Sequence, residues 1–199
     1  MKSGFFIREE IWTQPVMATD SGVGGSNFGV EATYTNSGAA WKAFDGNTSS
    51  SGTADCWRCT YSSDLPNHKA YIGFYNPLPL RVLSLLMYTL RYNVNGNSTW
   101  GSGVVTASND GSTWTQVCSY SNSVTQPTNG NVATWSISVN ATKAYKYWRI
   151  WGYTGISAGS QGVSGFSEIK INAIEHKSVD LNGIDVWAAS SESKYYMKY

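Results

Sequence analysis

The sequence predicts an all-β domain, a sandwich or barrel of short antiparallel strands, and three observations carry the prediction. Aromatic residues make up 14% of the 199, with nine Trp and thirteen Tyr, while charged residues reach only 14%. Aromatic and β-branched residues suit a pleated surface, and abundant Gly, Ser, Thr and Asn suit the turns between strands. Segments rich in Ala, Leu, Glu and Lys, which would favour helix, are few. From residue 29 onward, apolar residues fall into eight short runs separated by turn signals, which is the pattern of a sandwich or barrel rather than a βαβ fold.

In chain order, residues 1–28 read as an N-terminal extension: a short helical piece over Phe5–Trp12, then a Gly/Ser-rich linker over Asp20–Asn27. The body of the domain spans residues 29–174. Its strands are predicted at Val30–Thr35, Ala70–Tyr75, Arg81–Leu90, Gly103–Asn109, Thr113–Ser119, Val132–Val139, Tyr145–Trp151 and Phe166–Ala173. In Val132–Val139, Trp135, Ile137 and Val139 share one face, with Thr134, Ser136 and Ser138 on the other. In Tyr145–Trp151, Trp148 and Ile150 oppose Tyr147, Arg149 and Trp151. Arg81–Leu90 is apolar on both faces and reads as a central strand covered on both sides. Asn109-Asp110-Gly111 is a hairpin signal, because these residues tolerate the positive φ that tight turns need. Trp114, Trp135 and Trp148 are assigned to the core from their inward positions, with Trp57 beside them. The pattern fades after Ala173, and residues 175–199 read as a C-terminal extension with a second turn at Asn182-Gly183.

Charge and motifs exclude several classes of function. A net charge of +1 with scattered Lys and Arg argues against a nucleic-acid partner, which calls for a basic face. No run of about 18 apolar residues exists to form a membrane-spanning helix. Met1–Glu10 turns charged after three apolar residues, short of the roughly 7–15 of a secretory signal. Cys56 and Cys59 lack the βαβ setting of a redox pair, and with Cys118 they read as packed thiols, a local Cys56–Cys59 bridge being the lesser alternative. No nucleophile elbow, phosphate-binding glycine loop or zinc-protease helix motif is present, so the chain reads as non-catalytic.

Four segments, in order, resemble the discoidin, or coagulation-factor C-type, superfamily. They are Ala43-Phe44-Asp45-Gly46-Asn47 followed by Trp57, then Ala107–Val117, Ala144–Ile150 and Gly165–Ile171. The resemblance covers about Gly29–Ala173 and implies a jelly-roll β-sandwich with ligand loops at one end. It also implies a structural Ca²⁺. Asp45 and Glu168 would supply its charge, the carbonyls of Lys42 and Asn47 and a hydroxyl of Thr48 or Thr53 the remaining oxygens, a donor set that hard Ca²⁺ accepts. The bland alternative is that Asp45 caps a turn and Glu168 is a solvated strand residue.

Sugar-binding relatives carry an Arg and an Asn-Gly in the loop after the central strand, which places Arg91 and Asn95 in a candidate sugar pocket. Tyr92 and Trp100 of the same stretch are candidates for stacking, and Arg58 stands where a His is usual. Arg offers a rigid fork of donors and Asn both donor and acceptor, which suits adjacent sugar hydroxyls. The competing reading makes Arg91 a surface ion-pair residue and Trp100 a loop aromatic folded onto the sandwich. The expected function is a non-catalytic carbohydrate-binding module with a glycan partner. The alternative is a structural or adhesion component, such as a phage tail or fibre protein or part of an adhesin, in a homo-oligomer or a virion or cell-surface assembly. Either reading carries an extracellular, cell-surface or virion location.

Overall fold

The computed structural model describes residues 5–33, 35–48, 56–60, 70–90, 97–124, 131–157, 163–180 and 195–197. Their strands are β1 (Phe5–Ile11), β2 (Gly29–Ala32), β3 (Thr35–Ser37), β4 (Trp57–Thr60), β5 (Ala70–Thr89), β6 (Asn97–Ser108), β7 (Thr115–Ser121), β8 (Thr134–Ser138), β9 (Tyr145–Ser157), β10 (Val163–Asp180) and β11 (Tyr195–Met197), with a 3₁₀ turn at Ala40–Ala43. The architecture is a jelly-roll β-sandwich, and every strand pair is antiparallel except a short parallel contact between β10 and β6.

The two layers are joined through β5. Ala70–Tyr75 and Arg81–Leu90, expected as separate strands, are one strand with a break in register to β9 between Tyr75 and Leu80. The break holds Pro77 and Pro79, which have no N–H to give to a ladder. Before it, β5 pairs with β2 and β9, which leads to β6 and β7. After it, β5 pairs with β10 on one side and β8 on the other. Val82, Leu85 and Met87 of this second half are fully buried, whereas Leu83 and Leu86 are half-buried. The strand is central in pairing, but only one of its faces is deeply covered.

Two aromatic groups fill the space between the layers. Phe28, Phe44, Phe74 and Trp148 form one, and Trp57, Trp100, Trp135 and Phe166 the other. Trp135 and Trp148 are core residues, as strand alternation predicts, and Trp57 is in the core with them. Trp114 is a correction. It precedes β7 in the turn rather than lying within a strand, so alternation does not apply to it, and it is half-buried on the outer face. At the turn itself only Gly111 takes positive φ, +74°. Asp110 instead holds the turn with its carboxylate, accepting the N–H groups of Ser112 and Thr113 at 2.8 and 2.7 Å.

The N-terminal extension differs from expectation. Phe5–Ile11 is a strand, not a helix: β10 continues past Ala173 to Asp180, and β1 pairs with that extension from Phe5↔Asp180 to Ile11↔Ile174. An available partner edge overrides a local helical preference. Charges alternate across this pair. Glu10 meets Lys177 at 2.7 Å on one face, and Glu9 meets His176 at 2.9 Å and Arg81 at 3.4 Å on the other. The following segment belongs to the sandwich, since Trp12, Met17 and Phe28 join its core. The stretch expected as a linker closes into a loop, with Ser21 Oγ donating to the Phe28 carbonyl at 2.7 Å and the Val30 N–H to the Ser21 carbonyl at 3.0 Å. In the C-terminal extension β11 pairs with β1, and the Asn182-Gly183 turn lies outside the described residues.

Candidate functional site

The corner formed by the 3₁₀ turn and β10 brings Asp45 and Glu168 together. Ala43 and Phe44 are fully buried and anchor the turn in the core. The chain then reverses at Gly46, whose φ of +80° is a conformation that favours glycine. The reversal points the Gly46 N–H at Glu168 Oε2, 3.0 Å away, and the Asn47 N–H at Asp45 Oδ1, 2.9 Å away. Glu168 is 2% exposed. Burial pushes its carboxyl up to about 7; the Gly46 N–H works against that rise and the neighbouring Asp45 charge adds to it. Lys42 Nζ lies 3.7 Å from Asp45 Oδ2 and over the Trp41 ring, 4.1 Å from its centroid. Glu168 is therefore a buried carboxyl, not the solvated strand residue of the alternative reading. Thr48 follows in the same loop, and Thr53 lies outside the described residues.

The expected sugar pocket fares differently. Arg91, Tyr92 and Asn95 lie outside the described residues. Trp100 and Arg58 are corrections. Trp100 belongs to β6, not to a loop, and is fully buried, 5.8 Å from Trp57 and 5.0 Å from Phe166 between ring centroids in edge-to-face contacts. Its ring has no face to offer a ligand. Gly152 opposite is what admits it, because a Cβ there would fall 2.4 Å from the indole. Arg58 is held within β4, opposite Gly165 of β10 and Ser37 of β3, and is 8% exposed.

Two features lie beyond the sequence reading. On the outer sheet face, Arg149 sits between Tyr71 and Trp114, 4.3 and 3.9 Å from their centroids, and its Nε donates to Glu31 at 2.6 Å. Alternation does place Arg149 outward, but the partners come from three other segments. Beside the Glu168 corner, residues 14–16 wall an open cleft of about 390 Å³. No local pattern marks Gln14 as a wall residue. The cysteines are in no disulfide, and burial pushes the Cys59 thiol up to about 12, far from a reactive thiolate. Among the described residues no group of three or more His, Cys, Asp or Glu is placed to hold a metal ion, and no helix is long and apolar enough to cross a membrane.

No protein-family model matches the chain, and no curated protein does. Solved structures do match. The chain is similar to CpGH89CBM32-5 from Clostridium perfringens, in complex with GalNAc-β-1,3-galactose, at 13% identity and a TM-score of 0.52 over 73% of this chain and 95% of that one. It is similar to CBM32-1 from a family 31 glycoside hydrolase of the same organism at 19% identity and a TM-score of 0.50, over 73% and 93%. It is also similar to the F5/8 type C domain of a Bacteroides fragilis protein at 13% identity and a TM-score of 0.51, over 75% and 92%.

Proposed function

From a chain with the discoidin-like, galactose-binding-type jelly-roll fold, we propose a non-catalytic carbohydrate-binding module. The observation that carries the reading is the fold, because two solved structures that share it are CBM32 modules, one of them holding a disaccharide. Fold alone does not select a ligand. The glycan assignment therefore rests also on the Arg91/Asn95 loop, whose residue types suit adjacent sugar hydroxyls. With Trp100 and Arg58 committed to the interior, the ligand set reduces to Arg91, Tyr92 and Asn95.

The corner at Glu168 fits a structural calcium. A buried carboxyl raised to about 7 beside a second carboxylate is a place where added positive charge is favourable. The side chains of Asp45 and Glu168, the carbonyls of Lys42 and Asn47 and a hydroxyl of Thr48 or Thr53 would hold it, an all-oxygen set with two negative charges. When bound, the ion supplies charge balance and ties the Asp45 loop to β10.

A glycan panel that includes bacterial surface polysaccharides, run with calcium and again with chelator, tests both parts. The expected result is binding in calcium that drops at least about tenfold in Arg91→Ala, the scale of one lost charged hydrogen bond. A folded protein that binds no glycan overturns the module reading. A melting temperature unchanged by calcium or chelator overturns the calcium.

A further inference from the structure

We propose that the segment Trp12–Met17 is a strap that positions the cation corner, with Gln14 as its clasp, so that strap docking and cation binding strengthen one another. The inference rests on the calcium reading of that corner.

On the side of β10 where β1 and β4 pair, β1 ends at Ile174 and β4 begins at Phe166. Between them, residues 167–173 have no strand partner on that side among the described residues. Buried backbone groups left unpaired would be costly. The strap fills the gap without being a strand. The Trp12 N–H donates to the Ala173 carbonyl at 3.0 Å, continuing β1 by one bond. The side chain of Gln14 then takes over. Its Nε2 donates to the Ile169 carbonyl at 2.9 Å, and its Oε1 accepts the Ile171 N–H at 2.7 Å. One amide thus supplies the donor and acceptor of a missing strand residue, immediately after Glu168.

Three residues on, the Met17 N–H donates to the Phe44 carbonyl at 3.0 Å, immediately before Asp45. Met17 and Trp12 are both buried in the core, which fixes the ends of the strap. Between them Val16 passes over Gly46, close enough that a Cβ on Gly46 would meet its methyl groups at 3.6 and 3.7 Å. The Gly46 N–H in turn holds Glu168 Oε2. The contacts close a ring: Gln14 to β10, β10 through Glu168 to Gly46, the loop through Phe44 to Met17, and Met17 back to Gln14. The open cleft of about 390 Å³ is lined by members of this ring, Gln14, Val16, Phe44, Gly46 and Glu168 among them.

The consequence is positional. Glu168 and Asp45 lie 123 positions apart in sequence, and the strap bonds to the residue next to each. Partners that orient metal ligands are worth about tenfold to a hundredfold in affinity. Coupling of two binding events is reciprocal, so whatever the strap adds to cation affinity, the cation adds to strap docking.

The test is calorimetric titration of the full chain with Ca²⁺ for the unaltered protein, Gln14→Ala and Arg8→Ala, together with amide exchange of Met17 and Ile171 with and without Ca²⁺. Gln14→Ala is expected to weaken Ca²⁺ binding by about tenfold or more. Arg8→Ala disturbs β1 but leaves the ring intact, and is expected to bind as the unaltered chain does. Ca²⁺ is expected to slow exchange at both amides. If the unaltered chain binds Ca²⁺ but Gln14→Ala binds it equally, or exchange is unmoved by Ca²⁺, the strap inference falls and the calcium reading stands. If the unaltered chain gives no Ca²⁺ signal, both fall. Should Gln14→Ala fail to fold, the exchange measurement on the unaltered chain decides.

Discussion

The interior of the sandwich and the outer face of the sheet that carries β9 use the same kinds of residue to opposite ends. Inside, Trp57 and Phe166 stack with centroids 6.2 Å apart and planes at 13°, and Trp100 meets both edge-on. These rings are fully buried, and the nearby Trp135 has its Nε1 satisfied by Thr99 Oγ1 at 3.2 Å. Outside, rings pack on a cation: Arg149 lies between Tyr71 and Trp114 with Glu31 as its partner. Trp151 packs on Tyr71 at 4.7 Å and donates to Thr106 Oγ1 at 2.9 Å. The difference teaches where each role is affordable. Dry ring-on-ring packing derives its stability from removing large apolar areas from water, whereas a half-exposed ring gains by covering a charged stem and head. Charge follows the same division, because Glu31 outside is paired with Arg149 while Glu168 inside is shifted by burial.

The largest break of this contrast is Trp100→Ala. It removes a fully buried indole and is expected to cost about 3–5 kcal/mol in urea unfolding; a loss under about 1 kcal/mol would show that the ring is not in the core. Gly152→Ala comes next. Its methyl would fall within 2.4–2.6 Å of the Trp100 ring, and overpacking of this kind costs about 1–3 kcal/mol. An alanine with an unchanged denaturation midpoint would refute the close approach.

A pH series sharpens the electrical side. Because the folded pKa of Glu168, about 7, lies above its ordinary 4.5, the native protein holds this proton more tightly than the unfolded chain. Its contribution is full below about 4.5 and is lost as pH rises through about 7. In cation-free buffer, unfolding free energy should therefore fall across that window, and Glu168→Gln should flatten the fall. A profile identical in the two proteins would mean that the carboxyl is not buried. The smallest effect belongs to Trp114→Ala, which uncovers one side of Arg149 and should cost about 1 kcal/mol. A loss as large as that of Trp100→Ala would erase the distinction between the faces.

The Asp45 turn was legible where the burial of Trp100 and Arg58 was not, and the reason is how each is built. Asp45-Gly46-Asn47 is a local turn whose glycine takes φ +80°, so the turn is written in consecutive residues, whereas its meeting with Glu168 was an implication of the family resemblance. Trp100 reads as a loop aromatic because the residues around it look like a loop. Its burial follows from β6 pairing with β9 and from Gly152 leaving room across the sheet. Arg58 likewise is buried by what flanks β4, not by its neighbours in sequence.

By itself the sequence determined the all-β class, the inward placement of Trp135, Trp148 and Ile150, and the turn at Asn109-Asp110-Gly111. The class rests on composition and turn signals, the inward placements on a period of two, and the turn on the φ of Gly111 and the carboxylate of Asp110, all of them local properties of the chain. Only the tertiary structure decided that Phe5–Ile11 is a strand, that β5 serves both layers, that Trp114 covers Arg149 and that Gln14 completes the edge of β10. Each depends on a partner far away in sequence, and a backbone edge or an open ring face selects its partner only when the fold brings the two together.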